Sequence, residues 1–113
     1  MKAKTLVSTN GLSREEWLKY RRLGIGGSDI AAIAGVSPFG NPVSVFLDKI
    51  GGGQDKEETE AMYWGNVLES VVADEFKRRH PEVRMQRVNA ILMHPEYHWA
   101  LANLDRKIYL PDR

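Results

Sequence analysis

The chain has 113 residues, of which 16 are basic and 15 acidic, and a formal net charge of +1 at pH 7. This length predicts a single domain, and an apolar content of 42% is typical of a folded globular protein rather than a disordered chain. No apolar run is long enough to span a bilayer, and the basic residues 1–4 are not followed by the apolar stretch of a signal peptide. The absence of cysteine excludes disulfides, thiolate metal sites and cysteine nucleophiles.

The first helix is expected directly after a loose lead-in over residues 1–12. Ser13 and Glu16 have the spacing of a capping box, in which a hydroxyl and a carboxylate each bind a free N–H group near the start of the helix. The helix should end at Gly24, because glycine is the common residue just beyond a helix C-terminus.

Two further short helices are predicted from their capping residues. Ser28 and Asp29 should open a second helix over residues 30–35, because both side chains can accept hydrogen bonds from the N–H groups of a first turn. Pro42 suits the first turn of a third helix over residues 43–50, where its missing N–H group costs no hydrogen bond. The first half of the chain is therefore expected to be helical.

The longest periodic segment covers residues 58–80 and predicts a helix that Pro81 ends. Its apolar side chains share one broad arc of the helical wheel, which is typical of an amphipathic helix. The members of this arc are Ala61, Trp64, Gly65, Val67, Leu68, Val71, Val72 and Phe76. The tryptophans Trp17, Trp64 and Trp99 stand in apolar contexts and are expected in the core.

The pattern changes to apolar and polar alternation over residues 83–92, which predicts strand with a break near Arg87. Residues 99–102 and 107–110 are expected to form a hairpin around residues 103–106. Helices first and antiparallel strands afterwards indicate an α+β fold.

A glycine-rich turn over residues 24–29 is the first candidate site. Such a turn leading into a helix presents several N–H groups at the positive end of the helix dipole, which makes an anion site lined by Gly26 and Gly27. Ser28 adds a hydroxyl donor. The turn is not a Walker loop, because the Gly-Lys-Ser/Thr ending is missing and no strand is expected before it.

Two arginines lie just before this turn. Either Arg21 or Arg22 could bind a phosphate group through two parallel hydrogen bonds. The alternative interpretation is a tight turn between two helices, in which Ser28 or Asp29 is an ordinary helix cap. Both interpretations stay open on these residues alone.

Two carboxylates are candidates for a metal site. Glu69 lies at the margin of the apolar arc, where it can face either water or a half-buried cleft, and most such glutamates are solvated. Asp105 is expected at a turn, where aspartate commonly serves the turn geometry, although short connectors also hold Mg²⁺. His94 and His98 are four residues apart, but Pro95 disfavours the helix that would join them on zinc.

Taken together, these motifs resemble the phage-type exonuclease and recombinase family. Its members are the YqaJ-like proteins, which are related to phage lambda exonuclease within the restriction-endonuclease-like nucleases. The resemblance rests on Trp17 with Arg21, residues 24–29, residues 34–39, Trp64-Gly65 with Glu69, His94 to Tyr97, Trp99, and Ala102-Asn103 with Asp105. It implies a restriction-endonuclease-like α+β fold.

The resemblance also implies roles for individual residues. Arg21 and Ser28 match the residues that hold the terminal phosphate of a DNA end, in the turn that contains Gly26 and Gly27. Glu69 and Asp105 match catalytic carboxylates that bind the metal, which is Mg²⁺ with Mn²⁺ as a substitute. The reaction implied is hydrolysis of phosphodiester bonds from duplex ends, in which metal ions activate water and neutralise developing charge.

Two departures from the family pattern bear on activity. Leu104 and Arg106 flank Asp105 where the family usually has Pro-Asp-Gly, and the family's following Glu-x-Lys strand is not found. Glu75 and Lys77 match the Glu-x-Lys sequence, but they lie in the predicted long helix. Helical side chains two positions apart diverge by about 200° and cannot share one metal. The chain is therefore expected to be the N-terminal part of a nuclease, with little or no activity alone. The alternative is a non-catalytic module that binds DNA ends or phosphate, or a remnant.

The partners expected from the resemblance are duplex DNA ends, a single-strand annealing protein and further copies of the chain. No membrane partner is expected. The expected location is the cytoplasm of a bacterial host, with a phage or prophage origin.

Overall fold

The computed structural model describes residues 2–51 and 57–111. Within these residues it has four helices and five strands with antiparallel pairing, so the α+β prediction is confirmed. Contacts divide the chain into two compact units. We call them the sheet unit (Met1–Gln54 and Asn89–Asp105) and the ribbon unit (Asp55–Val88 and Arg106–Arg113). The single domain predicted over residues 1–113 stays a prediction.

The sheet unit contains three antiparallel strands in the order β1-β3-β4. They are β1 (Lys4–Ser8), β3 (Ala90–Met93) and β4 (Leu101–Asn103). Ile91 in the central strand is 1% exposed and is the most deeply buried large side chain. The predicted loose lead-in over residues 1–12 is wrong, because β1 lies within it. The strand was not predictable, because five residues are too few to show an alternating pattern and its partner strand β3 lies more than 80 residues further along the chain.

Three helices belong to the same unit. They are α1 (Arg14–Arg21), α2 (Gly27–Ile33) and α3 (Pro42–Lys49). The hydroxyl of Ser13 accepts from the Glu16 N–H group at 3.1 Å, which confirms the predicted cap of α1. Asn41 caps α3 in the same way, and Pro42 occupies its first turn as predicted.

Helix α2 begins three residues earlier than predicted. Gly26 is its N-cap residue, so Ser28 and Asp29 lie inside the first turn rather than before it. The helix begins earlier because the Asp29 carboxylate accepts a hydrogen bond from the Gly26 N–H group at 2.8 Å. A side chain at the third helical position thereby provides one half of a capping box, whose other half would need a side chain that glycine lacks.

The ribbon unit contains one long helix and a two-stranded ribbon. Helix α4 (Glu60–Arg79) begins after Thr59, whose hydroxyl accepts from the Met62 N–H group. The ribbon pairs β2 (Arg84–Arg87) with β5 (Arg106–Tyr109) in antiparallel register.

The predicted hairpin between residues 99–102 and 107–110 is wrong. Strand β4 pairs with β3 and strand β5 pairs with β2. Alternation predicts the two faces of a strand but not its neighbour. The connection Leu104-Asp105 also lacks the glycine or asparagine that a two-residue hairpin turn favours, and no described residue other than glycine has a positive φ.

The apolar arc of α4 is largely exposed. Ala73 is the buried residue of this helix among those described, while Val71 and Val72 are at least 60% exposed. Trp64 and Trp99 are more than half exposed, so the prediction that they belong to the core is wrong. No helix among the described residues is both long and apolar enough to cross a membrane.

Candidate functional site

The glycine-rich turn is anchored to the start of β4. The Ile25 N–H group donates to the Trp99 carbonyl at 2.6 Å, and the Leu101 N–H group donates to the Ile25 carbonyl at 3.0 Å. A Cβ atom on Gly24 would lie 2.5 Å from that same Trp99 carbonyl oxygen. The turn therefore approaches the strand so closely that position 24 requires glycine.

This anchored turn brings Arg21 and Ser28 together. A guanidinium nitrogen of Arg21 donates to the Ser28 hydroxyl at 2.9 Å, and the same guanidinium lies over the Trp17 ring at 4.8 Å. Arg21 is half-buried and Ser28 is exposed, so the pair is open to solvent on one side. Arg22 instead forms an ion pair with Asp48 at 3.7 Å. The sequence did not decide whether Arg21 or Arg22 binds the phosphate, and the structure places Arg21 beside Ser28.

Two further residues support the pair, and the sequence analysis predicted neither Lys49 nor the ion pair that Asp29 forms with it. Lys49 forms an ion pair with Asp29 at 2.9 Å and donates to the Arg21 carbonyl at 2.9 Å. The side chains of Lys49 and Asp29 are only 16% and 13% exposed. The position of Asp29, three residues after Gly26, is a detectable capping signal. Nothing in the sequence indicates Lys49, since it is 28 residues from Arg21.

The arrangement can bind an oxyanion. Lys49 and Asp29 neutralise each other, so the guanidinium of Arg21 provides the net positive charge, and Ser28 provides a hydroxyl. The Gly26 N–H group already donates to Asp29 and does not point to a free anion position in this structure. Gly27 is exposed beside Ser28, and its phosphate contact stays a prediction.

Glu69 lies in the ribbon unit and is held by two arginines. Arg106 donates to the two carboxylate oxygens of Glu69, at 2.8 Å from Nε and 3.2 Å from the terminal nitrogen. Arg87 lies 3.7 Å from the same carboxylate. These contacts lower the pKa of Glu69, and the hydrogen bond from Arg106 is the largest cause. Because Arg87 and Arg106 are direct neighbours across the ribbon, Glu69 is the counter-ion of a like-charged pair.

The residues around Glu69 do not fit a divalent metal in this arrangement. Arg106 donates one hydrogen bond to each carboxylate oxygen, which leaves a second lone pair on each, but the charges of Arg106 and of nearby Arg87 repel a metal cation. Across residues 2–51 and 57–111, no group of three histidine, aspartate or glutamate side chains is placed to hold a metal ion. The Glu75 carboxylate is likewise occupied, by Arg78 and Arg79 on the same helix.

Asp105 is exposed at a bend just after β4, in the sheet unit. Ile25 pairs with Ala100, and the five residue steps from Ala100 to Asp105 cover no more than about 18 Å of extended chain. The candidate phosphate site and Asp105 therefore flank one short strand. Glu69 belongs to the other unit, and its convergence with Asp105 on one metal site stays a prediction.

The histidines His94 and His98 have local structural roles. The Nδ1 atom of His94 accepts from the N–H groups of Glu96 and Tyr97, at 3.1 and 3.0 Å. His98 contacts the Pro95 carbonyl at 3.1 Å. Each imidazole thus stabilises the turn that joins β3 to β4.

Comparison with known proteins identifies the family. The family described as the YqaJ-like viral recombinase domain matches residues 16–113. The chain belongs to this family. It is 44% identical over 108 residues to the uncharacterized protein YqaJ of Bacillus subtilis strain 168. That alignment covers 95% of the chain and 34% of the relative, so the chain spans about a third of the relative's length.

The match to the YqaJ-like viral recombinase family confirms the resemblance found in the sequence. The matched region includes the Arg21–Ser28 pair, Glu69 and Asp105, whereas β1 lies before it.

Proposed function

We propose that the chain binds the terminal phosphate of a duplex DNA end, as part of a phage-type recombination exonuclease. The observation that carries this proposal is the hydrogen bond of 2.9 Å between Arg21 and Ser28 beside the glycine-rich turn. A guanidinium and a hydroxyl that already contact each other need little rearrangement to bind one phosphate group. Membership of a viral recombinase family supports DNA as the source of that phosphate.

A site with one cation and one hydroxyl suits an end better than the interior of a duplex. Phosphate contacts determine where a protein sits on DNA, and a pocket for a single terminal phosphate sets the register of the end. The half-buried Lys49–Asp29 pair holds the backbone of Arg21 and the first turn of α2, so the two ligand groups keep their positions. This rigidity favours recognition of one compact group over general attraction to a polyanion.

The wider proposal covers the fold and reaction that the resemblance implies. These are a restriction-endonuclease-like fold and hydrolysis of duplex DNA ends with Mg²⁺ or Mn²⁺, with Asp105 and Glu69 as the carboxylates. A phage or prophage origin, a bacterial cytoplasmic location, self-association and a single-strand annealing partner belong to the same proposal. Because the charges of Arg106 and Arg87 oppose a cation at Glu69 in this structure, the metal part of the proposal requires these two side chains to move.

A second candidate is a DNA-end binding module without nuclease activity. The observation that favours it is the engagement of both Glu69 oxygens by Arg106. Incubation of end-labelled duplex DNA with the chain and Mg²⁺ or Mn²⁺ should then yield little or no cleavage. Robust cleavage that Asp105→Ala abolishes would exclude the module and support the nuclease.

The end-binding proposal is tested by comparing duplexes that differ only in a 5′-phosphate or 5′-hydroxyl. We expect fluorescence anisotropy to show about tenfold tighter binding of the phosphorylated end, since a charge-assisted contact contributes about 1.5–3 kcal/mol. The double variant Arg21→Ala with Ser28→Ala should lose this preference. The matched control is Arg78→Ala with Ser70→Ala on α4, which should keep it. Equal affinity of the unmodified chain for both ends would refute the proposal.

A further inference from the structure

The ribbon of β2 and β5 has two chemically different faces. Arg84 lies opposite Tyr109, and Gln86 lies opposite Lys107. Because side chains alternate along a strand, these four residues share one face, which we call the outer face. The remaining residues, on the inner face, are Met85, Arg87, Arg106 and Ile108.

The cations of the two faces differ in their partners. On the inner face, Arg87 and Arg106 approach the Glu69 carboxylate. On the outer face, the Arg84 guanidinium lies 4.0 Å and the Lys107 ammonium 5.3 Å from the centre of the Tyr109 ring. Within the described part of the chain, no carboxylate forms an ion pair with either of these two cations. The outer face therefore has a positive charge that no carboxylate among the described residues neutralises.

The outer face is also ordered by its own contacts. The Tyr109 hydroxyl donates to the Gln86 side-chain oxygen at 3.0 Å, across the ribbon. The hydrogen bond from Lys107 and the charges of Lys107 and Arg84 lower the pKa of Tyr109, which is the effect of a positive potential at the ring. Two cations fixed on an aromatic ring lose little side-chain freedom when an anion binds.

We propose that the outer face, formed by Arg84, Gln86, Lys107 and Tyr109, binds the phosphate backbone of DNA away from the strand end. Charge complementarity selects the ligand, because a polyanion is the partner that two unneutralised, exposed cations attract most strongly. The Tyr109 ring and the Gln86 amide add a stacking surface and polar contacts, and a two-stranded ribbon is narrow enough for the major groove. The proposal rests on the proposed function for the identity of this polyanion as DNA.

The experiment uses a dumbbell duplex, whose two ends are closed by hairpin loops and which therefore has no terminal phosphate. We expect the full chain to bind it weakly, and the double variant Arg84→Gln with Lys107→Gln to bind it roughly tenfold less tightly at low salt. The slope of log K against log salt concentration should fall by about 2 in that variant, since each phosphate contact contributes about 0.9. Anisotropy at several salt concentrations provides both values.

The matched control is Arg78→Gln with Arg79→Gln, which removes the same charge from α4, where both guanidinium groups pair with Glu75. This control should keep the dumbbell affinity within about twofold, because Glu75 offsets part of their charge and neither guanidinium belongs to the outer face. An equal loss in the control, or an unchanged salt slope in the Arg84 and Lys107 variant, would overturn the proposal. Circular dichroism of each variant verifies that the fold is retained.

The two proposals fail in different ways. The Arg84 and Lys107 variant should retain the preference for a 5′-phosphate, which depends on Arg21 and Ser28. Binding to phosphorylated ends with no binding to the dumbbell would overturn the outer-face proposal alone. Binding to the dumbbell through the outer face, with no 5′-phosphate preference, would overturn the end-binding proposal alone. Outer-face binding to an acidic peptide in place of the dumbbell would show that the partner is a protein.

Discussion

Each unit of the molecule contains a carboxylate that is less than a quarter exposed and paired with a cation, and the two pairs have opposite consequences. In the sheet unit, Asp29 binds Lys49 and the Gly26 N–H group. In the ribbon unit, Glu69 binds Arg106 and lies near Arg87. Both pairs are about equally shielded, with side chains that are between 13% and 23% exposed.

The two pairs differ in whether the carboxylate was itself expected to bind a ligand. Asp29 and Lys49 are support residues, and their pairing leaves the Arg21 guanidinium available beside Ser28. Glu69 is itself the residue expected to bind a ligand, and its pairing with Arg106 neutralises the charge that would attract a cation. The same type of contact therefore supports the candidate phosphate site in one unit and neutralises the candidate metal ligand in the other.

The largest expected effect tests how tightly the sheet-unit site is anchored. Gly24→Ala places a Cβ atom 2.5 Å from the Trp99 carbonyl oxygen and 2.7 Å from the Leu101 side chain. We expect the free energy of unfolding to fall by about 2–3 kcal/mol, as in other overpacked sites. Urea unfolding followed by circular dichroism measures the change.

The ribbon unit offers the control, because a Cβ atom on Gly65 meets nothing within 4 Å. Gly65→Ala in α4 should raise the free energy of unfolding by about 0.5–1 kcal/mol, since alanine favours a helix more than glycine does. If both variants had the same effect, the close approach of Gly24 to β4 would not be a determinant of the fold.

The next effect tests the support role of Lys49. Lys49→Met leaves the Asp29 carboxylate without its cation and removes the donor to the Arg21 carbonyl. We expect a loss of about 1–2 kcal/mol in unfolding free energy and a several-fold weaker 5′-phosphate preference. Adding Asp29→Asn should recover part of the stability, because the unpaired charge is removed. Lys19→Met, at an exposed position of α1, should change neither quantity.

How much of this could be predicted from the sequence depends on the separation of the partners. The Ser13 cap and the place of Pro42 in the first turn of α3 were predictable, because each depends on groups within three residues. The approach of Arg21 to Ser28 was also predictable, since they are only seven positions apart and a glycine-rich turn lies between them.

The contacts that could not be predicted join distant segments. Strand β1 pairs with β3, and strand β5 pairs with β2, although alternation alone predicted neither neighbour. Arg106 reaches Glu69 across 37 positions, and no spacing rule indicates which carboxylate an arginine will meet. Helical and strand periods describe faces within one element, whereas the partner of a face depends on the packing of the whole unit.

A smaller effect concerns the pKa of Glu69. Arg106 lowers this pKa below the ordinary value of 4.5, so the contribution of the pair to stability is present above pH 4.5 and is lost as the pH falls through the lowered pKa. Arg106→Gln should raise the pKa towards 4.5 and weaken this pH dependence. NMR titration of the Glu69 carboxyl carbon measures the shift.

The matched control for that titration is Arg78→Gln, which removes the largest cause of the lowered pKa of Glu75 on the same helix. It should raise the pKa of Glu75 and leave that of Glu69 unchanged. Arg87→Gln should raise the pKa of Glu69 less than Arg106→Gln does, because Arg87 makes the smallest contribution. The reverse order would mean that Arg87, and not Arg106, occupies the carboxylate in solution.

The smallest expected effect reports on the charge of the outer face. Lys107 and Arg84 lower the pKa of Tyr109 from 10.0, and the hydrogen bond from Lys107 is the first cause. Lys107→Gln should therefore raise this pKa more than Arg84→Gln, as measured by phenolate absorbance after subtraction of the Tyr109→Phe signal. Addition of the dumbbell duplex should also raise it, because bound phosphates offset the positive potential that favours the phenolate. A pKa that responds to the substitutions but not to the dumbbell would mean that the outer face is positive without being the surface that DNA contacts.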